Sequence, residues 1–252
     1  MKNKSSLTIM FPFLNDWGTV GSLVALAIET AKKFTDDWEV VIVNDGSGKE
    51  DREALGMIVA NLNQQINKST NPQINKRIRI IDHEKNRGYG GALRSGFEAA
   101  KKDLIFYTDC DAQYDPRELS LLMNMMKPDV GMVNGYKIKR SDPSYRKWMG
   151  RIYHYTVKFA FGLPIRDTDC DFRLIRRRVF DKIKLFENTG TICTELVKKI
   201  DYHGFKIVEV PVHHFWRTSG KSQFFNFRRL YRTGTNLLRL WWKLMVKKDY
   251  VR

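Results

Sequence analysis

Through the first half of the chain, short apolar runs that end in turn signals alternate with longer segments of helical period. This alternation restricts the fold more than any other feature. Residues 7–13 read as a strand, 20–34 as a helix, and 38–43 as a β-branched strand closed by Asn44-Asp45-Gly46-Ser47. Residues 50–66 read as a helix, 67–76 as a polar loop with Pro72, 77–81 as a third strand, 90–101 as a helix and 103–107 as a fourth strand. Such a β-α-β-α series predicts an α/β fold, a mainly parallel sheet with helices on both faces. Ligands of these sheets bind beyond the carboxyl ends of the strands. The second half is less regular. Helices are expected at 116–126, 145–161, 191–202 and 224–246, and strands at 130–134, 172–175 and 206–212. No repeat or clear linker interrupts the chain, so one continuous domain over 1–222 with a C-terminal appendage over 223–252 is expected.

The 252 residues are 42% hydrophobic, enough for a sizeable core. No run approaches the ~20 apolar residues of a membrane-spanning helix, and the N-terminus lacks the layout of a signal peptide. Cys110, Cys170 and Cys193 are scattered, which fits a reducing compartment and argues against disulfides and a zinc site. The net charge of +16 calls for an anionic partner: nucleic acid, anionic lipid or a phosphate-rich small molecule. Residues 217–252 carry ten Lys/Arg against one acidic residue, Asp249.

The residues that carry chemistry fall at strand ends. Asp109-Cys110-Asp111-Ala112-Gln113 follows the fourth apolar run and offers oxygen ligands where a buried strand emerges. Hard cations such as Mg²⁺ and Mn²⁺ want oxygen ligands, and Mg²⁺ usually shares its shell with substrate phosphates. A metal held there neutralises charge on a departing diphosphate. Asp45 at the second strand end can accept the imide N–H of uracil or the N1–H and amino group of guanine; it can also be a turn cap. Asn86-Arg87-Gly88-Tyr89-Gly90-Gly91-Ala92-Leu93-Arg94 opens a helix, and its glycines would let a nucleotide approach the backbone, with anions favoured at the helix N-terminus. It departs from the dinucleotide fingerprint, whose third glycine would fall at Leu93. Arg217-Thr218-Ser219-Gly220-Lys221-Ser222 is not a phosphate-binding loop of the Walker type, because Phe215 stands where that loop needs glycine. Its Arg217 and Lys221 still suit a diphosphate, the one through forked hydrogen bonds and the other as a point charge. His213 and His214 extend the strand at 206–212 toward opposite faces, so one of them could approach the site; the lone His83, His154 and His203 show no metal spacing.

In order, Phe11-Pro12-Phe13-Leu14-Asn15-Asp16, Val43 to Ser47, Asn86-Arg87-Gly88 with Ala92, and Asp109 to Gln113 with Pro116 resemble family 2 glycosyltransferases of the GT-A fold. Asp167-Thr168-Asp169-Cys170-Asp171-Phe172-Arg173, Glu195, Glu209-Val210-Pro211 and residues 217–222 resemble the dolichyl-phosphate mannose synthase and polyprenyl-phosphate branch. The resemblance implies a GT-A, Rossmann-like sheet and inverting transfer of a hexose from a nucleoside diphosphate sugar, of UDP-glucose or GDP-mannose type. It implies Pro12, Asp16 and Asp45 around the base and ribose, with Asn86, Gly88, Arg94 and Asp109 completing the nucleotide site. Asp16 stands where the family usually has Glu. Asp109, Asp111 and Gln113 are implied to hold Mg²⁺ or Mn²⁺, and Arg217 and Lys221 to close over the phosphates. Arg173 matches an arginine near the acceptor, although Asp171 replaces the glycine that usually precedes it; Arg151, Asp167 and Asp169 complete the acceptor side.

A polyprenyl phosphate acceptor is already an anion and needs no general base. A hydroxyl of a sugar or protein needs one, with Asp167, Asp169 and Asp171 as candidates. In the tail, Phe224, Phe227, Tyr231, Leu238, Trp241 and Met245 form an apolar stripe beside many cations, the pattern of a helix lying on anionic lipid. Docking on the domain or on a second subunit is the alternative. Related enzymes often carry membrane helices after the catalytic domain, and this chain ends before any could form. The expectation is therefore a cytoplasmic protein, peripheral at the inner face of the membrane, with a possible homo-oligomer or membrane protein partner. Nucleic acid is not expected, since Asp109 and Asp111 would repel its phosphates.

Overall fold

The computed structural model describes residues 5–69, 77–138, 144–217 and 227–250. Its centre is a seven-stranded sheet in the order β3-β2-β1-β4-β6-β5-β7. The strands are β1 (Leu7–Phe13), β2 (Trp38–Asn44), β3 (Ile78–Asp82), β4 (Leu104–Thr108), β5 (Val130–Lys137), β6 (Phe172–Arg176) and β7 (Lys206–Val212). The first four are parallel, β6 runs antiparallel to both β4 and β5, and β5 and β7 are parallel. The expected mainly parallel sheet is present, with β6 as its one reversed strand.

Among the described residues seven α-helices cover the two faces: α1 (Trp17–Ala31), α2 (Lys49–Ser69), α3 (Tyr89–Ala99), α4 (Leu119–Met125), α5 (Ser144–Phe161), α6 (Ile192–Tyr202) and α7 (Phe227–Trp241). Strand alternation assigns the faces. Leu7, Ile9, Phe11 and Phe13 of β1 join Val20, Leu55 and Leu119 in one core, so α1, α2 and α4 lie on that side. Met10, Ile105 and Tyr107 point the other way, into a core with Leu93 of α3, Val157 of α5, Leu196 of α6 and Leu240 of α7.

Helix α1 begins three residues before its apolar period, because Asp16 O takes the Thr19 and Val20 amides while Trp17 and Gly18 face solvent. Pro12 lies inside β1, a position proline usually cannot hold. It is tolerated because β1 pairs with β4 only as far as Met10, leaving Pro12 opposite Val43 of β2 alone. No helix of the described residues is long and apolar enough to cross a membrane.

Helix α7 docks on the domain through a stripe other than the one expected. Leu240 and Leu244 are fully buried and Leu237 is half-buried, so the inward row sits at 237, 240 and 244. The chain continues as a π turn over Trp242–Val246, and the Trp241 indole N–H donates to Ala160 O at 2.9 Å. Of the expected stripe, Tyr231, Leu238 and Trp241 remain exposed. Phe224, the Phe227 side chain and the 222/223 boundary lie outside the described residues.

Candidate active site

Asp109 and Asp111 stand directly beyond β4, at the carboxyl edge of the parallel strands. Asp109 Oδ1 accepts a hydrogen bond from the Tyr89 hydroxyl at 2.8 Å. Asp111 is buried; its Oδ1 accepts from Gln113 N at 3.0 Å, and its Oδ2 accepts from Arg217 Nη2 at 2.7 Å and Nε at 3.3 Å. Between Asp111 and Gln113, Ala112 turns the chain through the left-handed region, φ 59°. The Thr19 hydroxyl donates to Cys110 O, which draws α1 and Asp16 to the same rim.

Electrostatics mark this as a strained cluster of negative charge. Burial, then the charges of Asp171 and Asp111, hold the Asp109 carboxyl well above the usual carboxylate range. Asp16 is raised by burial against the opposing pull of Arg217. Burial and the Asp109 charge push the Tyr89 phenol up, so it stays a hydrogen-bond donor. Arg217 is raised: its bond to Asp111 and the Asp111, Asp16 and Asp109 charges outweigh the lowering by burial, the largest single effect. Two carboxylates forced together, one of them protonation-prone, fit a hard divalent cation that takes its remaining ligands from water and diphosphate. Among the described residues no group of three or more His, Cys, Asp or Glu is arranged to hold a metal.

Gln113, expected as a third ligand, is a tether in this structure. Its side-chain nitrogen donates to Phe215 O at 3.2 Å and its carbonyl accepts from Phe215 N at 2.9 Å. That pairing brings residues 215–217 over the strand end and delivers Arg217. Lys221 and the Arg151 side chain lie outside the described residues.

Asp45 is the first residue beyond β2 and is buried. Its Oδ1 accepts from Arg87 N at 2.8 Å and lies 2.7 Å from His83 Nδ1. Asn86 is exposed beside it and bonds Gly88 N through its side chain at 2.9 Å.

Three expected site residues have protein partners. The glycines that open α3 lie against protein: a Cβ on Gly88 would stand 2.3 Å from Asn188 O, and one on Gly90 2.4 Å from Glu187 O. Gly90 N donates to Asn188 O at 3.0 Å, which seals the contact. Arg94 turns to the same segment, with Nη2 2.6 Å from Asn188 Oδ1. Arg173, expected against the acceptor, is fully buried. It pairs in register with Tyr107 on one side and Asn134 on the other. Its guanidinium donates to Tyr107 Oη at 2.7 Å, Asn134 Oδ1 at 2.7 Å and Thr168 O at 2.5 Å, so the geometry makes it an internal brace behind the site.

On the acceptor side, Asp167 accepts from Lys137 N at 3.3 Å and from Asp169 N at 3.1 Å, and Asp169 O accepts from Lys137 Nζ at 2.8 Å. Asp171 instead accepts the Cys193 thiol at 3.1 Å, and its charge acts on Asp109. His213 pairs with Glu118 and His214 packs edge-on against Tyr114, so each has a structural partner.

Sequence reasoning missed Tyr89, His83 and the segment at 184–188. Glu195 and Lys199 form a fully buried ion pair at 3.0 Å. Glu195 accepts the Phe186 and Glu187 amides, and Lys199 donates to Lys184 O at 2.5 Å. This pair holds the segment that packs on Gly88 and Gly90. The i,i+4 spacing of Glu195 and Lys199 was a visible signal; what they hold was not.

Sheet order places the rim carboxylates and the Arg217 guanidinium at the carboxyl edge of the parallel strands, the architecture of an α/β enzyme that binds its ligand beyond the strand ends. The chain belongs to glycosyl transferase family 2, whose family model matches residues 8–184. Among curated relatives it is 26% identical over 255 residues to glycosyltransferase AglD of Haloferax volcanii, covering 98% of this chain and 38% of that protein. It is 25% identical over 218 residues to the undecaprenyl-phosphate 4-deoxy-4-formamido-L-arabinose transferase of Pseudomonas savastanoi pv. phaseolicola, covering 86% of this chain and 60% of the relative. The chain thus spans between about two fifths and three fifths of these relatives' length. Among solved structures it resembles Mycobacterium tuberculosis glucosyl-3-phosphoglycerate synthase with phosphoglyceric acid (TM-score 0.68, 13% identity, 95% of this chain and 80% of that one). The same enzyme with Mn²⁺, UDP and glucosyl-3-phosphoglycerate gives TM-score 0.62 at 14% identity, over 93% of this chain and 76% of that one. The fold is GT-A.

Proposed function

We propose that this glycosyltransferase moves a hexose, with inversion, from a nucleoside diphosphate sugar to a polyprenyl phosphate. The observation that carries this reading is the Arg217–Asp111 pair over the rim that also holds Asp109 and, one loop away, Asp45. Asp109 and Asp111 would hold Mg²⁺ or Mn²⁺, which when bound supplies charge neutralisation for the diphosphate. Tyr89 orients Asp109. Arg217, held at the rim by Phe215 and Gln113, presents a forked donor to the leaving phosphates, a preorganised stabilisation of developing charge. Asp45 reads the base.

Two features support a lipid phosphate acceptor: the name of the undecaprenyl-phosphate relative and the commitment of Asp167 to Lys137. A phosphate nucleophile needs no base. A hydroxyl acceptor would need one, and Asp171 is the carboxylate whose charge reaches Asp109. We propose further that the protein works against anionic lipid. In support, Ile152, Tyr155 and Phe159 of α5 and Leu238, Trp241 and Trp242 at the end of α7 are all exposed. The Trp241–Ala160 bond joins the two rows.

The decisive experiment incubates the chain with Mn²⁺ or Mg²⁺, a panel of UDP- and GDP-hexoses and undecaprenyl or dolichyl phosphate, and measures lipid-linked sugar. Transfer with metal that is lost in Asp111→Ala is the expected result. Undiminished transfer in that variant under a chelator would reject the reading.

A further inference from the structure

His83 and Asp45 are neighbours by register. Strands β2 and β3 are parallel and pair through Asn44 and Asp82. His83 N then extends the ladder onto Asn44 O at 2.9 Å, so Asp45 and His83 leave the sheet edge side by side. Both side chains are buried, with Nδ1 2.7 Å from Oδ1. The imidazole is held at its other nitrogen as well, by Ser95 Oγ at 2.9 Å, and Arg52 donates to its carbonyl at 3.2 Å. An imidazole N–H at Nδ1 meets the Asp45 oxygen, and Nε2 meets Ser95. The Arg87 amide donates to the same Asp45 oxygen at 2.8 Å. A carboxylate oxygen has about two lone-pair sites, so Oδ1 is filled. Oδ2 has no hydrogen-bond partner among the described residues.

We propose that His83 is a positioning residue that sets nucleotide specificity: by occupying one oxygen of Asp45 it leaves a single acceptor, which suits the one N3–H of uracil and not the two-donor edge of guanine. This inference rests on Asp45 reading the base. Guanine presents N1–H and a 2-amino N–H side by side and is matched by both oxygens of a carboxylate. Here both guanine donors must crowd onto Oδ2 in a bent, shared geometry, or one must displace His83 from a buried bond, and poorly matched buried donors are costly. Cytosine presents an acceptor at N3 and gains nothing from Asp45. The donor is accordingly a uridine diphosphate sugar.

The test is titration of the full chain, with Mn²⁺ present, against UDP, GDP and CDP by calorimetry. UDP should bind at least ~10-fold more tightly than GDP. In His83→Ala the UDP/GDP affinity ratio should fall several-fold, because Oδ1 regains an acceptor site. In His83→Asn, whose amide nitrogen can stand where Nδ1 stood, the ratio should recover. A ratio of two dissociation constants is insensitive to a fraction of unfolded protein, so a merely structural role would not move it. Asp45→Ala separates the two levels of the argument. If UDP affinity is unchanged in Asp45→Ala, the base-reading role is wrong. If UDP weakens there and the UDP/GDP ratio is the same in His83→Ala as in the parent, the His83 proposal is overturned while Asp45 keeps its role. A parent protein that prefers GDP overturns it too.

Discussion

Arg217 Nη2 lies 2.7 Å from Asp111 Oδ2, a pair that joins residues 106 apart in sequence. The guanidinium thus holds one of the two carboxylates expected to take a cation. Competition is expected: a dication held by Asp111 would compete with Arg217 for that carboxylate and would leave the guanidinium for phosphate. Arg217→Ala should therefore bind Mn²⁺ more tightly in the absence of nucleotide yet transfer sugar at least ~10²-fold more slowly, the usual loss for one oxyanion-type donor. Electron spin resonance titration of Mn²⁺ and turnover measured on the same sample check the opposite signs. Weaker Mn²⁺ binding would show that Arg217 organises the carboxylates instead of competing for them.

Tyr89 reaches Asp109 from the first residue of α3. Outer hydrogen-bond partners of metal ligands typically matter by 10- to 100-fold in affinity or activity. Tyr89→Phe keeps the ring and removes the bond, so Mn²⁺ affinity should fall by about 10-fold with the unfolding midpoint nearly unchanged. An unaltered affinity would mean that Asp109 needs no orienting partner.

The glycines make a sharper contrast. Gly88 has φ +84°, and a Cβ there meets Asn188 O. Gly88→Ala should cost about 1–3 kcal/mol of stability by overpacking and backbone strain, and should weaken Mn²⁺ binding because Tyr89 moves with it. Gly56, in the middle of α2, has nothing within 4 Å of a built Cβ. Gly56→Ala should stabilise by about 0.5–1 kcal/mol with no effect on metal. Urea unfolding of the two variants reads both signs.

What was legible in the sequence was local. Strands β1 to β4 announced themselves by apolar runs, and Asp45, Asp109 and Asp111 by standing just past them. What was not legible needed long-range pairing. Tyr89 became visible only once α3 lay across β1 and β2, which brings its first residue to the end of β4. The glycines before Leu93 suggested a ligand because nothing in residues 86–94 indicates that residues 187–188, a hundred positions on, fill that space. His83 could have been found: it is the first residue after a strand that neighbours the one ending at Asn44, just before Asp45, and a third strand ended at 82 instead of 81 makes the match apparent.

Arg173, expected near the acceptor, is a residue that folding has enclosed. Removing its side chain in Arg173→Ala leaves Tyr107 Oη, Asn134 Oδ1 and Thr168 O without their donor in a dry interior. Three such losses at about 1 kcal/mol or more each predict a drop of at least ~3 kcal/mol in unfolding free energy. A residue acting on the acceptor would instead change KM with no shift in the thermal midpoint, so a calorimetric scan distinguishes the two.

Helix α7 has two apolar faces, and they make separable predictions. Leu240 is fully buried against the sheet-side core, whereas Leu238 is 71% exposed two residues earlier. Leu240→Ala should cost about 2–5 kcal/mol, the usual range for a buried leucine. Leu238→Ala should leave the unfolding curve within ~0.5 kcal/mol of the parent. If the exposed row meets lipid, the order reverses in a vesicle assay: Leu238→Asp and Trp242→Asp should weaken binding to anionic vesicles, by burial of less apolar surface and by added repulsion. Binding that is salt-sensitive yet indifferent to Leu238 and Trp242 would assign the attraction to the surrounding lysines and arginines alone, and would leave the outer face of α7 for a protein partner.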